Sequence, residues 1–378
     1  MKKLIYLIVV LSVFFYCGPG GDRVEKTMED GVEVVLNHLE PYRIKGESGT
    51  VHLEREFSID TENQEILEIG LTGIETFDVD SEGNIYLIQW ASSEDYIFKF
   101  DQKGNFLSSF CRKGQGPGEI EWGALVLVSP QNEVIAKDVA KSKIQVFDRD
   151  GKFLREIRLE RSYFPVPLEN GKYLIFWGED TPEWRKQYVG ICSSEFKDIK
   201  TLDVFQYPNI LNVKGPVNRD RLIFSASKDR IYTGNTERGY EVRVYDIEGN
   251  PFRKIRKDYE PVKVPEEYKK AYFERFPEGD PILENLYFTE KWPAFRDFFT
   301  DDAGRLYVLT HKEGANPGEY MHDIYSSEGA FVGRMSLVNN QRLQYEPFAA
   351  RVKKDHLYSL QEKESGYREL VVYRMIWE

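Results

Sequence analysis

The sequence predicts an all-β fold, a six-bladed β-propeller closed by an N-terminal strand. Two recurring turn signatures, their spacing and an aromatic-rich composition carry that prediction. The first signature reads Val79-Asp80-Ser81-Glu82-Gly83-Asn84-Ile85-Tyr86 and returns at Thr300-Asp301-Asp302-Ala303-Gly304-Arg305-Leu306-Tyr307. The second reads Lys99-Phe100-Asp101-Gln102-Lys103-Gly104-Asn105-Phe106 and returns around Asp148-Gly151 and Asp246-Gly249. Asp opens such turns because its carboxylate accepts backbone N–H groups, and Gly ends them because it tolerates positive φ. The first turns of successive units fall near Gly83, Asn132, Gly171, Asp229, Gly304 and Asp355. Most steps suit a four-stranded blade of roughly 40–50 residues, and one longer step holds an insertion. Aromatic residues make up 14% of the chain, with 23 Tyr and 24 Phe, which suits half-buried pleated surfaces.

The units differ in completeness. The third and sixth are degenerate, and the sixth supplies only the strands Phe348–Val352, His356–Leu360 and Arg368–Ile376 before Glu378. The segment 51–59 alternates with a period of two, so it is the expected donor of the missing outer strand, covering an edge that would otherwise aggregate. Val32-Glu33-Val34-Val35 is a further short strand candidate. The long step contains an insertion at about 257–292. Pro265-Glu266-Glu267 opens a helix there, with Tyr268, Ala271, Tyr272 and Phe276 on one side and a second apolar stretch at 282–288. The insertion is expected either to cap the pore mouth or contact a partner, or to pack on the ring as decoration.

The N-terminus reads as an export signal. Lys2-Lys3 precede the apolar run 4–16, and Cys17 follows. Residues 1–17 are therefore expected to be a signal segment, 18–31 a flexible tether beginning Gly18-Pro19-Gly20-Gly21, and 32–378 the propeller. The pattern resembles a bacterial lipoprotein signal, which implies lipidation of Cys17 and anchoring at the periplasmic membrane or cell surface. Tyr16 departs from the small residue usual before the cysteine. Cys111 and Cys192 fall in different blades and read as small buried hydrophobes rather than a disulfide.

The chain as a whole resembles the six-bladed propellers of the NHL-repeat type, and a group of exported bacterial propellers without assigned activity. The stretch 78–106 carries that likeness, with the connector Gly114-Gln115-Gly116-Pro117-Gly118-Glu119-Ile120 and the run Asp138-Val139-Ala140-Lys141-Ser142-Lys143-Ile144-Gln145-Val146-Phe147-Asp148. Ser142-Lys143 stands where the family tends to have Asn-Arg. The resemblance implies the fold and export, and no activity. The glycine connector is read as an inter-blade turn, since it lacks G-x-G-x-x-G spacing and Pro117 removes an N–H that would cradle phosphate.

Because the a–b and c–d turns are tight, the opposite face carries the varied loops on which binding groups gather. Trp90, Arg112, Asp138, Lys141, Trp177, Trp184, Arg185 and His311 are placed there. Aromatics mixed with Arg and carboxylate suit a protein, peptide or carbohydrate ligand. Each Trp equally suits packing between blades, and Asp138 suits a turn acceptor.

The net charge of −12 lacks the basic stripe of a nucleic-acid binder. The five histidines form no His-x-His or His-Glu-x-x-His, and no Gly-x-Ser-x-Gly elbow occurs. Glu75, Asn132 and His311 are the inner-strand residues considered for a channel metal. No catalytic residue, metal ligand or cofactor is assigned. The function expected is a monomeric, non-catalytic binding or scaffold propeller at the cell envelope, engaging its ligand through the long-loop face. The alternative is an exported, lactonase-like hydrolase or lyase with a channel metal.

Overall fold

The computed structural model describes residues 24–43, 49–90, 95–138, 141–227, 229–338 and 350–377; the expected signal segment, with Cys17, lies outside them. Five blades are built from consecutive strands a to d. Blade 1 uses Thr76–Val79, Ile85–Ile88, Asp95–Phe100 and Phe106–Arg112. Blade 2 uses Ala124–Val128, Val134–Asp138, Lys143–Phe147 and Phe153–Arg158. Blade 3 uses Phe164–Pro167, Tyr173–Asp180, Trp184–Cys192 and Lys200–Pro208. Blade 4 uses Leu222–Ser227, Arg230–Asn235, Glu241–Asp246 and Pro251–Lys257. Blade 5 uses Asp297–Thr300, Leu306–Glu313, Glu319–Tyr325 and Phe331–Val338. Blade 6 supplies Ala350–Lys353, His356–Glu362 and Arg368–Trp377, and takes its fourth strand from Val51–Asp60. All six expected first turns sit between strands a and b of their blades.

The turns form as their sequences require. Asp80 Oδ1 accepts the N–H groups of Glu82 and Asn84 at 2.9 Å each. Asp101, Asp148, Asp246 and Asp301 repeat the arrangement with their own second and fourth neighbours. The glycines of the c–d turns do more than adopt positive φ. A Cβ on Gly151 would lie 2.6 Å from the ring of Phe110 in the preceding blade, and one on Gly104 would lie 2.8 Å from Phe57. Each turn thus seats on strand d of the neighbouring blade, and Phe57 plays that part for blade 6.

The core is divided among the blade interfaces. Phe77, Val79, Phe98 and Phe100 of blade 1 meet Ile59, Tyr358, Leu370 and Val372 of blade 6. Tyr86, Phe110 and Cys111 meet Val126, Val134 and Phe147 between blades 1 and 2, while Cys192 packs with Ile144, Tyr173 and Phe196 between blades 2 and 3. The two cysteines are buried, free and in separate layers, as expected of small hydrophobes. Burial raises both thiols, Cys192 to about 12.

Ring closure follows the expected pairing. Val51–Asp60 runs antiparallel to Arg368–Trp377, with Ile59 opposite Leu370 and Phe57 opposite Val372. The tether does not extend to residue 31, however. Glu25–Glu29 and Val32–Asn37 form a hairpin, and its second strand adds in parallel to strand d of blade 4. Charge pairing holds the hairpin there: Glu29 bonds Arg256 and Lys254, and Glu33 bonds Lys26 and Arg253. Asn37 is buried where blades 4 and 5 meet. Its Nδ2 donates to Arg256 O and Gly329 O, and its Oδ1 accepts the Phe331 N–H at 2.7 Å. Farther on, Gly49 passes so close to Gly333 that a Cβ there would lie 2.3 Å from its carbonyl oxygen. The N-terminal segment is thus a belt along the outer edges of blades 4, 5 and 6.

The insertion occupies 258–296. Its helix Glu266–Phe273 buries no residue in the ring. Tyr268, Tyr272, Phe273 and Phe276 instead pack with Phe288 and Trp292 in an aromatic cluster of their own. Leu286–Tyr287 pairs with Gly215–Pro216, and Asn218 bonds Thr289 and Lys291 O, so the insertion docks on the crossing between blades 3 and 4.

Two outcomes are expected. Deleting residues through Ile59 should cause aggregation or a large fall in melting temperature, whereas deletion through Asp22 should leave it unchanged; equal melting of the two would refute closure by this strand. Arg256 and Lys254 hold the Glu29 carboxyl down from 4.5 to about 2. Its contribution is full above pH 4.5 and fades as pH falls through about 2. Glu29→Gln should therefore speed hydrogen exchange at Val34 and Val35 at pH 7, with the difference from wild type vanishing in strong acid.

Candidate functional site

The inner strands, with Leu309, His322 and Leu337 of blade 5, line a cavity of about 380 Å³. Its wall runs from mid-channel to the a–b turns. Leu127, Val166, Phe224 and Phe298 supply apolar surface, Asp78, Asp297 and Arg351 line the interior, and Ser81, Ser227, Lys353 and Lys354 stand toward the turns. The expected binding face was the opposite one. The a–b turn residues Ser81, Ser227 and Lys354 line this cavity, while the insertion lies on the loop face.

The strand-a polar residues bind the ring together. Asp78 Oδ2 accepts the Val128 N–H of blade 2 at 2.8 Å, while its Oδ1 lies 3.4 Å from Nε of Arg351 in blade 6. One carboxylate therefore joins three blades. Ser225 and Thr300 share a hydroxyl contact of 3.0 Å between blades 4 and 5, and Ser227 donates to Asp301 O at 2.6 Å. Lys353 Nζ donates to Val79 O, again joining blade 6 to blade 1.

Electrostatics distinguish the interior. Burial pushes the Asp297 carboxyl up to about 6, although the Phe298 N–H and Arg221, Arg296 and Arg351 all draw it downward. Burial likewise lowers Arg351, opposed by Asp78 and Asp297, and takes the His322 imidazole down to about 4. Among the described residues, no three His, Cys, Asp or Glu side chains converge as a metal-ligand group.

The sequence-predicted residues do not form one site. Trp90, Arg112, Asp138 and Lys141 gather around the 113–123 connector. Trp90 lies 6.1 Å from Trp122, Arg112 faces Asp95 at 3.8 Å, and Lys141 pairs with Glu121 at 2.9 Å. Asp138 is buried and accepts the N–H groups of Glu121 and Lys141, the turn-acceptor role. Trp177 is not presented to the loop face; it is buried between blades 2 and 3, stacked 4.9 Å from Tyr188. Trp184 is exposed, and Arg185 pairs with Asp180 at 3.3 Å, both in blade 3. His311 stacks on Trp292 at 5.0 Å in blade 5, and burial holds its imidazole well below the ordinary range. Neither His311 nor the other two inner-strand candidates is on an inner strand: Asn132 caps a turn by accepting the Ser81 N–H, and Glu75 pairs with Arg368.

The glycine connector is a turn, and its carboxylate shows why. Glu119 folds back so that its Oε2 accepts the Gly116 N–H at 2.8 Å, filling the space a Cβ on Gly114 would need. Gly314-Ala315-Asn316-Pro317-Gly318-Glu319 repeats this geometry in blade 5, where Glu319 accepts the Asn316 N–H. Sequence reasoning missed that second copy, and it missed Asp297 and Arg351. For Arg351 the available signal was the polar–apolar alternation of Ala350-Arg351-Val352-Lys353; Asp297-Phe298-Phe299-Thr300 carries no such alternation.

The comparisons agree with this architecture. A family model described as a 6-bladed beta-propeller matches residues 61–214, which span blades 1 to 3. No curated protein matches the chain in sequence. A crystal structure of a Bacteroides fragilis protein described as exported is similar at a TM-score of 0.52 and 13% identity, covering 91% of this chain and 99% of that one. A Bacteroides vulgatus protein follows at 0.48 and 12%, covering 88% and 99%. A Xanthomonas campestris gluconolactonase is similar at 0.40 and 10%, covering 87% and 98%. At these identities the likeness is one of fold.

Replacing Asp78 tests the inner ring. Asp78→Ala removes the acceptor shared by three blades and should lower the unfolding free energy by about 3 kcal/mol, with Asp78→Asn costing less. Denaturant unfolding measures both, and an unchanged midpoint in Asp78→Ala would show that the channel carboxylate is dispensable to the fold.

Proposed function

We propose that this chain is a non-catalytic binding propeller of the bacterial envelope, exported by its N-terminal signal, anchored through Cys17, and holding a small ligand in its central channel. The cavity carries this reading. Its volume lies in the range of small-molecule sites, and its wall sets polar groups such as Asp78, Asp297 and Arg351 among apolar side chains such as Leu127, Val166 and Phe224. Those groups are engaged in ways that favour holding over reacting. Asp78 is committed to a backbone N–H and to Arg351, and Ser225 and Thr300 to each other. Among the described residues, the cavity hydroxyls of Ser225, Thr300 and Ser227 bond one another or a backbone carbonyl rather than a base.

Export and anchoring rest on Lys2-Lys3, the apolar run 4–16 and Cys17. Among the described residues no helix is long and apolar enough to cross a membrane. The loop-face group Trp90, Arg112 and Lys141 is available to a protein, peptide or carbohydrate partner, as part of the scaffold role.

Two measurements decide the matter. Metal analysis of the purified protein, with a lactone-hydrolysis assay, should give well under one equivalent of divalent metal and no turnover; a stoichiometric metal with turnover would establish the hydrolase instead. Cys17→Ser should release the protein from membranes or leave its precursor uncleaved, since each buried methylene contributes about 0.8 kcal/mol. Unchanged partitioning would defeat the anchor.

A further inference from the structure

The first described residues after Cys17 leave the fold at a definite place. The strand Val32–Asn37 runs parallel to strand d of blade 4, with Glu33 opposite Arg253 and Asn37 opposite Lys257. Lys257 is the loop-face end of that strand, because the crossing to blade 5 follows it. Glu25 lies opposite Leu36, so Val24 also emerges at the loop face. His38 confirms the place: its ring nitrogens stand 2.9 Å from Asp258 Oδ2 and 3.4 Å from Glu25 Oε2. Cys17 is seven positions before Val24. Whatever path the chain takes between them, the two are at most about 25 Å apart. Strand d of blade 4, Pro251–Lys257, is itself about 23 Å long. An anchor at Cys17 would need that whole reach to bring the turn face to a bilayer, whereas the loop face meets it without that reach.

The exposed aromatics that carry a polar tip are sorted to the same face. Among the described residues, the exposed Trp and Tyr side chains are Trp122, Trp184, Tyr259, Tyr287 and Tyr367. Trp122 lies in the crossing from blade 1 to blade 2, and Tyr259 and Tyr287 in the crossing from blade 4 to blade 5. Trp184 and Tyr367 stand at the b–c connections of blades 3 and 6. All of these are loop-face segments. Trp and Tyr gather at membrane–water interfaces because the ring is apolar and its N–H or O–H bonds water or headgroups. Three exposed apolar residues sit along one crossing, beside blade 4. Trp184 pairs with Pro208, Asn285 Nδ2 donates to Ile210 O at 3.2 Å, and the Val217 N–H donates to Tyr287 O at 2.7 Å. These contacts set Trp184, Leu211 and Tyr287 on the surface of the crossing from blade 3 to blade 4. Exposed charges of both signs flank them, Glu183 and Glu284 with Lys186 and Lys214, so the attraction such a surface offers is aromatic and apolar.

We infer that the loop face is a membrane-docking surface that seats on zwitterionic lipid headgroups. Trp184, Leu211 and Tyr287 enter the interface, and the a–b turns, with the cavity residues Ser81, Ser227 and Lys354, are directed away from it. This rests on the anchored-envelope reading above and adds the orientation of the propeller on its membrane. A partner of the Trp90 group is then one held at the same membrane.

Tryptophan fluorescence of the full-length protein in phosphatidylcholine vesicles tests the orientation, with phosphatidylcholine brominated near its carbonyl end as the quencher. Brominated lipid should quench the wild type. Trp122→Phe combined with Trp184→Phe should at least halve the emission lost to the quencher. Trp377→Phe, at the turn-face end of blade 6, should leave that loss unchanged. An undiminished loss in the double variant, or its disappearance in Trp377→Phe, overturns the docking. Cys17→Ser separates the two readings. Release from membranes in Cys17→Ser, with no quenching in the wild type, upholds the anchor and overturns the docking. Unchanged partitioning in Cys17→Ser, with quenching that the double variant halves, defeats the acyl anchor and upholds the docking, because the apolar run 4–16 would then hold the chain at the same point.

Discussion

Blade 6 lacks a fourth strand of its own, and the pairing of Val51–Asp60 with Arg368–Trp377 is the contact on which the ring depends. Each blade buries one face against the next, so an open ring would expose two faces as well as an unpaired strand edge. The closing strand covers all three. Its Ile59 and Phe57 join the layer between blades 6 and 1, its Val51 joins the layer between blades 5 and 6, and its backbone completes the ladder. Phe57 also receives Gly104 of the next blade, as Phe110 receives Gly151. A borrowed strand therefore reproduces the contact that consecutive strands make elsewhere.

The rest of the N-terminal segment extends that closure into a belt. The hairpin Glu25–Asn37 is fastened to blade 4 by carboxylate–arginine and carboxylate–lysine pairs, and Asn37 fills the hydrogen-bonding needs of two blades at once. The exposed pairs contribute little individually. The buried Asn37 contacts and the parallel backbone ladder hold the segment in register.

Closure creates the channel, and the channel concentrates charge. Inner-strand side chains from six blades point at one axis, so polar residues far apart in sequence become neighbours. Asp78 and Arg351 are separated by 273 positions and share a contact. Burial then acts on each group in the direction physics requires. It raises Asp297, lowers His322 and lowers Arg351, because the charged form loses hydration in each case. A cavity in which buried Asp297, His322 and Arg351 stand among apolar side chains follows from that geometry.

The amino-acid sequence by itself determined the blades and their order. Asp–Gly turns are local chemistry: Asp80 and Asp101 bond N–H groups two and four positions on, so the motif is readable wherever it occurs. Alternation marked 51–59 as a strand, and the unmatched last blade named its partner. The hairpin at 25–37 was hidden because its stabilising partners, Arg253, Lys254 and Arg256, lie more than 200 positions away. The channel site was hidden for the same reason. Trp177 and Trp90 look alike in sequence, yet one is sealed between blades and the other lies on the loop face beside exposed Trp122. Which side chain faces the axis, which faces a neighbouring blade and which faces solvent depends on the ring having closed, and only the tertiary structure decides it.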